Sequence, residues 1–254
     1  MDKHRRIQSY QHVYQENYGF ESVLVAARQR LLLDLLAQNV PSVVVEVGCG
    51  TDLLYHRVAA EGLPIGQWII VEPSEVFIEI ARTAARQARG LLVVPGFIED
   101  VVDQVKELCQ APPDLVICSG VLHEVPDVRK VLEGIHQILD GGGLLHANVP
   151  NSFSMHRRLA RAMGLITDEK QLTERNRALA QFRVFDRQSL RQAIETSGFS
   201  IEDQGGYFLK PFTHAQMQAI RPILTTEILD GLWKLGREIP ELASEIYVNA
   251  RVRR

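Results

Sequence analysis

The chain has 254 residues, 46% of them hydrophobic and 23% charged, with a formal net charge of −3. That length suits one large α/β domain or two small ones, and the near-balance of charge gives no reason to expect a nucleic-acid partner. No run of 18 apolar residues is present to span a membrane, and the polar opening MDKHRRIQSYQHVYQENYGF has no apolar core for a signal peptide.

The first predicted element is a helix over residues 20–37. Short apolar runs then alternate with amphipathic stretches. Strands are predicted at Ser42–Val47, Gln67–Val71, Gly90–Val94, Asp114–Cys118 and Gly143–Val149. Helices are predicted at Leu53–Ala60, Ser74–Ala88, Ile98–Cys109 and Val128–Leu139, the last with Val128, Val131, Leu132, Ile135 and Leu139 on one face. Strands apolar on both faces, alternating with helices, call for a parallel sheet of right-handed βαβ units. Residues 151–182 are polar, with helical pieces, and too long for an ordinary loop. A helix (Asp186–Ser197) and a strand (Phe199–Leu209) follow, then a helical excursion over 213–236 and a last alternating strand, Ser244–Val252. No linker divides the chain. We therefore expect one domain, 1–254: an N-terminal helical arm (1–40), a ligand-binding core (41–150), and helical insertions over 151–185 and 211–240.

Ligands of such sheets bind at the carboxyl ends of the strands, so the residues there carry the chemistry. The first strand runs into Glu46-Val47-Gly48-Cys49-Gly50, where glycines allow a tight turn and close approach of a ligand to main chain. Glu72, 24 residues past Gly48, stands at the spacing of an acid that accepts ribose hydroxyls. After the third strand, Phe97 and Ile98 offer apolar surface and backbone groups to a base. Glu99 meets either the ligand or the start of the next helix. The fourth strand ends in Ser119-Gly120, small enough for close approach, followed by His123 on the loop; Asp127 is placed to cap the next helix.

Together the segments EVGCGTD, VEP, PGFIED, DLVICSGVLHEVPD and LDGGGLLHANVPN resemble, in this order, the class I (Rossmann-like) methyltransferases that use S-adenosylmethionine. SGFSIEDQGGYFLKP and ASEIYVNARV resemble that family's final strand pair. The likeness is greatest to the small-molecule branch. It implies an α/β three-layer sandwich: a seven-stranded, mostly parallel sheet with an antiparallel last strand, plus helical insertions forming a lid. It also implies S-adenosylmethionine as cofactor and S-adenosylhomocysteine as product. Carried over by position, Glu46, Gly48, Cys49 and Gly50 surround the methionine portion, and Glu72 takes the ribose. Pro73, Phe97 and Ile98 flank adenine, while Ser119 and Gly120 lie beneath the methionine. Phe97 stands where the family often has an aspartate, so an acid contact to the adenine amino group is not implied. Either Arg28 or Arg30, from the helix before the first strand, would meet the methionine carboxylate.

The expected reaction is in-line methyl transfer to a small polar acceptor such as a sugar or a natural-product intermediate. His123 is the candidate catalytic base, or else only shapes the pocket. Acceptor-contacting candidates are Tyr14, Tyr18 and Phe20 on the arm, Asn148, Asn151 and His156 after the fifth strand, and Tyr207, Phe208, Lys210, Phe212 and His214 after the sixth. Lys210 would be counter-charge to a carboxylated acceptor. Two other readings compete: a methyltransferase-like protein that binds the cofactor without catalysis, and an NAD-dependent oxidoreductase. Against the second, Leu53 replaces the third glycine of G-x-G-x-x-G. Asp52 at the helix start would also repel a pyrophosphate while tolerating a cationic sulfonium. Cys49, Cys109 and Cys118 fit reduced thiols in a cytoplasm, and no metal-ligand spacing occurs. A monomer or homodimer, with no nucleic-acid or membrane partner, is expected.

Overall fold

The computed structural model describes residues 19–139, 142–179 and 181–253. Their sheet has seven strands: β1 (Val43–Val47), β2 (Gln67–Glu72), β3 (Leu91–Pro95), β4 (Leu115–Ser119), β5 (Leu144–Pro150), β6 (Phe199–Tyr207) and β7 (Glu245–Val252). Their order across the sheet is β3-β2-β1-β4-β5-β7-β6. The strands β1 to β5 pair in parallel, and β7 inserts antiparallel between β5 and β6. The antiparallel last strand anticipated from the sequence is therefore present. The chain winds outward from β1 to β3, then returns to lay β4 on the other side of β1. That reversal leaves a crevice between the carboxyl ends of β1 and β4.

Both faces of the sheet are buried, which is why the strands read as continuous apolar runs. On one face α4 (Val102–Leu108), α5 (Val128–Ile138) and α8 (Arg187–Thr196) pack Val105, Val131, Leu132, Ile135, Leu190 and Ile194 against Val45, Val116, Leu145 and Val248. On the other, α1 (Glu21–Asn39), α2 (Leu54–Ala60) and α3 (Glu75–Ala85) pack Leu32, Leu36, Leu54, Val58, Phe77 and Ala81 against Val44, Trp68, Ile70, Leu115 and Ile117. Each fully buried side chain of this size contributes roughly 1.5–3 kcal/mol by leaving water. As anticipated, Asp127 caps α5, accepting from the Arg129 and Lys130 amides at 3.1 and 3.3 Å.

The insertions give α6 (Met155–Ala162) and α7 (Glu174–Ala178) after β5, and α9 (His214–Ala219) and α10 (Thr226–Glu238) after β6. A third apolar cluster joins Phe20, Leu24, Ala27 and Leu31 of the arm to Tyr207, Phe208 and Met217. Trp233 of α10 reinforces it by donating its indole N–H to the Ala27 carbonyl at 3.2 Å. The arm and the second insertion thus form one wall beside the strand ends.

Two of the predicted helical stretches are interrupted. The stretch 98–109 breaks after a 3-10 turn at Ile98–Asp100, because Val101 leaves helical geometry at φ −123°. A Cβ at Gly96 would meet the Val101 Cγ1 at 2.6 Å, so this valine packs into the space that Gly96 leaves empty. The excursion over 213–236 breaks between α9 and α10 at a 3-10 turn containing Pro222. Proline lacks the amide N–H and disfavours helical backbone just before it.

Candidate active site

A cavity of about 900 Å³ opens over the carboxyl ends of the strands. Its floor begins at the loop after β1, where Gly48 and Gly50 take φ of 77° and 61°. L side chains rarely adopt such backbone. A Cβ at Gly48 would lie 2.8 Å from the Val121 Cγ2, whereas at Gly50 it would meet nothing within 4 Å. The main chain at Gly50 is therefore open to a ligand.

Two buried acids flank this loop. The Glu72 carboxylate accepts from the Cys49 amide at 3.0 Å and the Ser74 amide at 2.8 Å, which fixes its orientation. Burial nevertheless raises its pKa, against those amide contacts. The Glu46 Oε2 accepts from the Trp68 indole at 2.9 Å. Burial pushes the Glu46 carboxyl up to about 8, the Glu72 charge adding to the effect and Trp68 opposing it. A pair of desolvated acids is relieved when a cation binds beside it. Burial and the Glu72 charge push the Cys49 thiol far up, so it remains a protonated, unreactive wall. Asp52 lines the rim, and its carbonyl accepts from the Gln29 side chain at 2.8 Å.

On the next strands, Pro73, Phe97, Ile98 and Glu99 line the cavity. After β4, the Ser119 hydroxyl is buried without a hydrogen-bond partner among the described residues, and Gly120 takes φ of 71°. A Cβ at Gly120 would sit 3.8 Å from the Arg28 guanidinium. Arg28, not Arg30, reaches the cavity. Arg30 points away, pairing with Asp230 at 2.6 Å and stacking over Trp233.

His123 also lines the cavity, 5% exposed, with Nδ1 buried and without a hydrogen-bond partner among the described residues. Its Nε2 lies 3.5 Å from the Glu124 carboxylate. Burial, then the nearby Arg28 charge, push its pKa down to about 3, while Glu21 opposes them. The ring is neutral across the physiological range.

Apart from Arg30, every cofactor candidate from the sequence lines this one cavity, together with His123, Lys210 and His214. The other acceptor candidates divide. Asn151 and His156 line the cavity as well. Asn148 and Tyr207 do not: they lie behind its wall, and both donate to the Glu245 carboxylate, Asn148 at 3.0 Å. Their polar ends face an acid from β7 because β5 and β6 both pair with that strand. Phe20 and Phe208 are buried against each other, with ring centres 6.1 Å apart. Phe212 is partly exposed and lies outside the cavity lining, and Tyr14 and Tyr18 lie outside the described residues.

Sequence reasoning did not single out Glu21, Gln29 or Glu245, all of which line the cavity. Glu245 grips Arg28 at both guanidinium edges, with Nε donating at 3.0 Å, and Glu21 lies 3.5 Å from the same guanidinium. The one hint in the sequence was an acid opening the otherwise apolar segment Glu245-Ile246-Tyr247-Val248. Among the described residues, no helix is long and apolar enough to cross a membrane.

Residues 14–204 match the family model of a methyltransferase domain. The chain is 25% identical over 185 residues to a ubiquinone biosynthesis O-methyltransferase of Xylella fastidiosa, covering 71% of each. It is 29% identical over 112 residues to a thiol S-methyltransferase of Rattus norvegicus, 44% of each. Its fold resembles that of a SAM-dependent methyltransferase of Thermotoga maritima, with TM-score 0.60 and 18% identity over 95% of this chain and 99% of that one. It also resembles the N-methyltransferase NodS of Bradyrhizobium japonicum in complex with S-adenosyl-L-homocysteine, with TM-score 0.57 and 12% identity over 97% and 99%. At such identities these two likenesses concern the fold.

Proposed function

The chain belongs to the methyltransferase-domain family and depends on S-adenosylmethionine, and from that premise we propose that it methylates a hydroxyl of a small polar acceptor, with His123 as base. The observation that carries this reading is a single cavity that combines the loop after β1, the buried acids and a neutral imidazole beside Glu124. The whole chain works as one domain, with residues 151–185 and 211–240 closing over the acceptor.

The residues present suit the cofactor. The open main chain at Gly50 and the orphaned Ser119 hydroxyl face its methionine portion. The raised pKa of Glu46 and Glu72 suits a ligand bearing an ammonium and a sulfonium. Glu72, already aimed by two amides, retains lone pairs for ribose hydroxyls. Pro73, Phe97 and Ile98 flank the base. Arg28, held over Gly120 by Glu245, donates its remaining N–H groups to the carboxylate. When bound, S-adenosylmethionine supplies a methyl group on a cationic sulfur, which is electrophilic without further activation.

The chain's own task is then to orient the acceptor and remove its proton. Orientation of reactants is worth roughly 7–11 kcal/mol when the geometry is well defined. His123 accepts the hydroxyl proton, and Glu124, 3.5 Å from its Nε2, stabilises the imidazolium that forms. Oxygen is favoured as the acceptor atom because a hydroxyl requires such a base, and because the Xylella fastidiosa relative is named as an O-methyltransferase.

His123→Asn is expected to lower kcat by ~10²-fold or more while S-adenosylhomocysteine affinity, measured by calorimetry, stays near wild type. Unchanged kcat would remove His123 as base. Only the neutral ring accepts a proton, and His123 stays neutral until the pH falls to about 3. Protonation of this residue should therefore cause no loss of rate in mildly acidic solution.

Glu72→Ala tests the cofactor half. Loss of a charged hydrogen-bond acceptor costs about 1.5–3 kcal/mol, so S-adenosylhomocysteine should bind roughly ten- to hundredfold more weakly. Calorimetric affinity equal to wild type would exclude Glu72 from the ribose site.

A further inference from the structure

The cavity has two electrostatic ends. Glu46, Asp52 and Glu72 line the end over β1 and β2, whereas Lys210, Arg157 and Arg175 line the walls supplied by the two insertions and the end of β6. Lys210 is the informative residue. It is 4% exposed, and among the described residues its ammonium makes one hydrogen bond, to the His214 Nδ1 at 2.9 Å. An ammonium only donates, so Nδ1 is the acceptor. The His214 Nε2–H is then donated to the Glu21 carboxylate at 3.0 Å. Among the described residues the other two ammonium hydrogens have no acceptor, and no carboxylate forms an ion pair with Lys210.

Among the described residues Glu21 and Glu245 act on this charge from a distance, and no carboxylate touches it. Arg157 is held by the backbone carbonyls of Glu169, at 2.9 Å, and Gln171, at 2.6 Å, which fix a guanidinium without neutralising it. The hydroxyls of Ser152 and Ser244 are buried in the cavity wall without partners among the described residues. Both belong to the junction that Lys210 follows: the Ser244 amide donates to the Phe208 carbonyl at 2.8 Å, and the Asn151 amide to the Ser244 carbonyl at 2.9 Å. Burial pushes the Lys210 pKa down to about 8, with Arg175 and Arg157 adding to the effect and Glu21 and Glu245 opposing it. A buried ammonium serving only the fold is expected to be paired. This one is presented to a cavity.

We infer that the methyl acceptor carries an anionic oxygen group, a carboxylate or a phosphate, which Lys210 binds as counter-ion with the Ser152 and Ser244 hydroxyls as flanking donors. This rests on the acceptor pocket proposed above. The rest of the acceptor packs against Leu165, Ile166, Leu179 and Phe182, which line the same cavity. The acceptor is thus an apolar body with an acidic group at one end.

Calorimetry on the full chain saturated with S-adenosylhomocysteine tests this without turnover, using benzoate, phenyl phosphate and the neutral benzamide as probes. The wild type should bind at least one of the two anions tenfold or more tightly than benzamide, and the preferred anion distinguishes carboxylate from phosphate. Lys210→Met should lose that preference while retaining its affinity for S-adenosylhomocysteine. A wild type that binds neither anion more tightly than benzamide would overturn the inference, and that comparison needs no variant. So would a Lys210→Met chain that keeps the preference. Failure to bind S-adenosylhomocysteine at all would instead refute the cofactor half of the proposed function.

Discussion

Glu245→Ala is expected to destabilise the chain by about 3–5 kcal/mol, the usual consequence of removing one partner from a buried ion pair. The Glu245 carboxylate is 3% exposed and accepts from Arg28, Asn148 and Tyr207 together. Alanine would strand the Arg28 guanidinium, 17% exposed, with Glu21 at 3.5 Å as its remaining carboxylate among the described residues. The Asn148 amide and the Tyr207 hydroxyl would lose an acceptor as well. Denaturant unfolding at constant m-value measures the loss, and a change below about 1 kcal/mol would show that the network does not support the fold. The double variant Arg28→Met/Glu245→Met separates the charge from the packing. Replacing both ions with apolar groups is far less costly than removing one, so the double variant should be more stable than Glu245→Ala. It should also bind S-adenosylhomocysteine weakly, because Arg28 is the group assigned to the methionine carboxylate.

Gly236→Ala should have an effect of comparable size by a different route. Gly236 lies in α10 where that helix meets the end of β6. A Cβ there would fall 2.3 Å from the Phe208 amide nitrogen and 2.6 Å from the Tyr207 carbonyl carbon. Backbone cannot swing aside as a side chain does, so α10 must move off the sheet. That would loosen the bond from the Leu209 amide to the Leu232 carbonyl, now 2.7 Å. Overpacking of this kind costs typically 1–3 kcal/mol, and more where the neighbour is rigid. Since Lys210 and His214 follow directly, the acceptor KM should rise more than the S-adenosylhomocysteine Kd. A variant as stable as wild type, with both constants unchanged, would mean that the α10 contact is not a constraint on the pocket.

Much of the cofactor half was legible because each of its residues stands at or just past the carboxyl end of a strand. Strand ends are announced by local signals: the apolar run stops, and a glycine or an acid follows. Glu46, Gly48, Gly50, Glu72, Ser119 and Gly120 were found in this way, and the sheet order brings them around one crevice. Asp52 lines the same cavity.

The acceptor half was legible only as composition. Tyr207 and Lys210 stand three residues apart in one aromatic and polar segment, yet only Lys210 lines the cavity. Tyr207 turns its hydroxyl to Glu245 of β7, a residue 38 positions later in the chain. Likewise Arg28 and Arg30 were equivalent candidates two residues apart on a helix. Residues so spaced point in different directions, and only the packing of α1 against β7 and α10 assigns one to the cavity and the other to Asp230.

The sequence by itself determined the sheet, its alternation with helices and the loop after β1, because period, glycine placement and strand-end acids act over a few residues. The tertiary structure alone decided which charges are paired and which are left over. Arg28 is gripped by an acid 217 positions away, while Lys210 is buried beside a neutral histidine. Pairing depends on which distant strands become neighbours and on how much water they exclude. Neither quantity is carried by local sequence pattern.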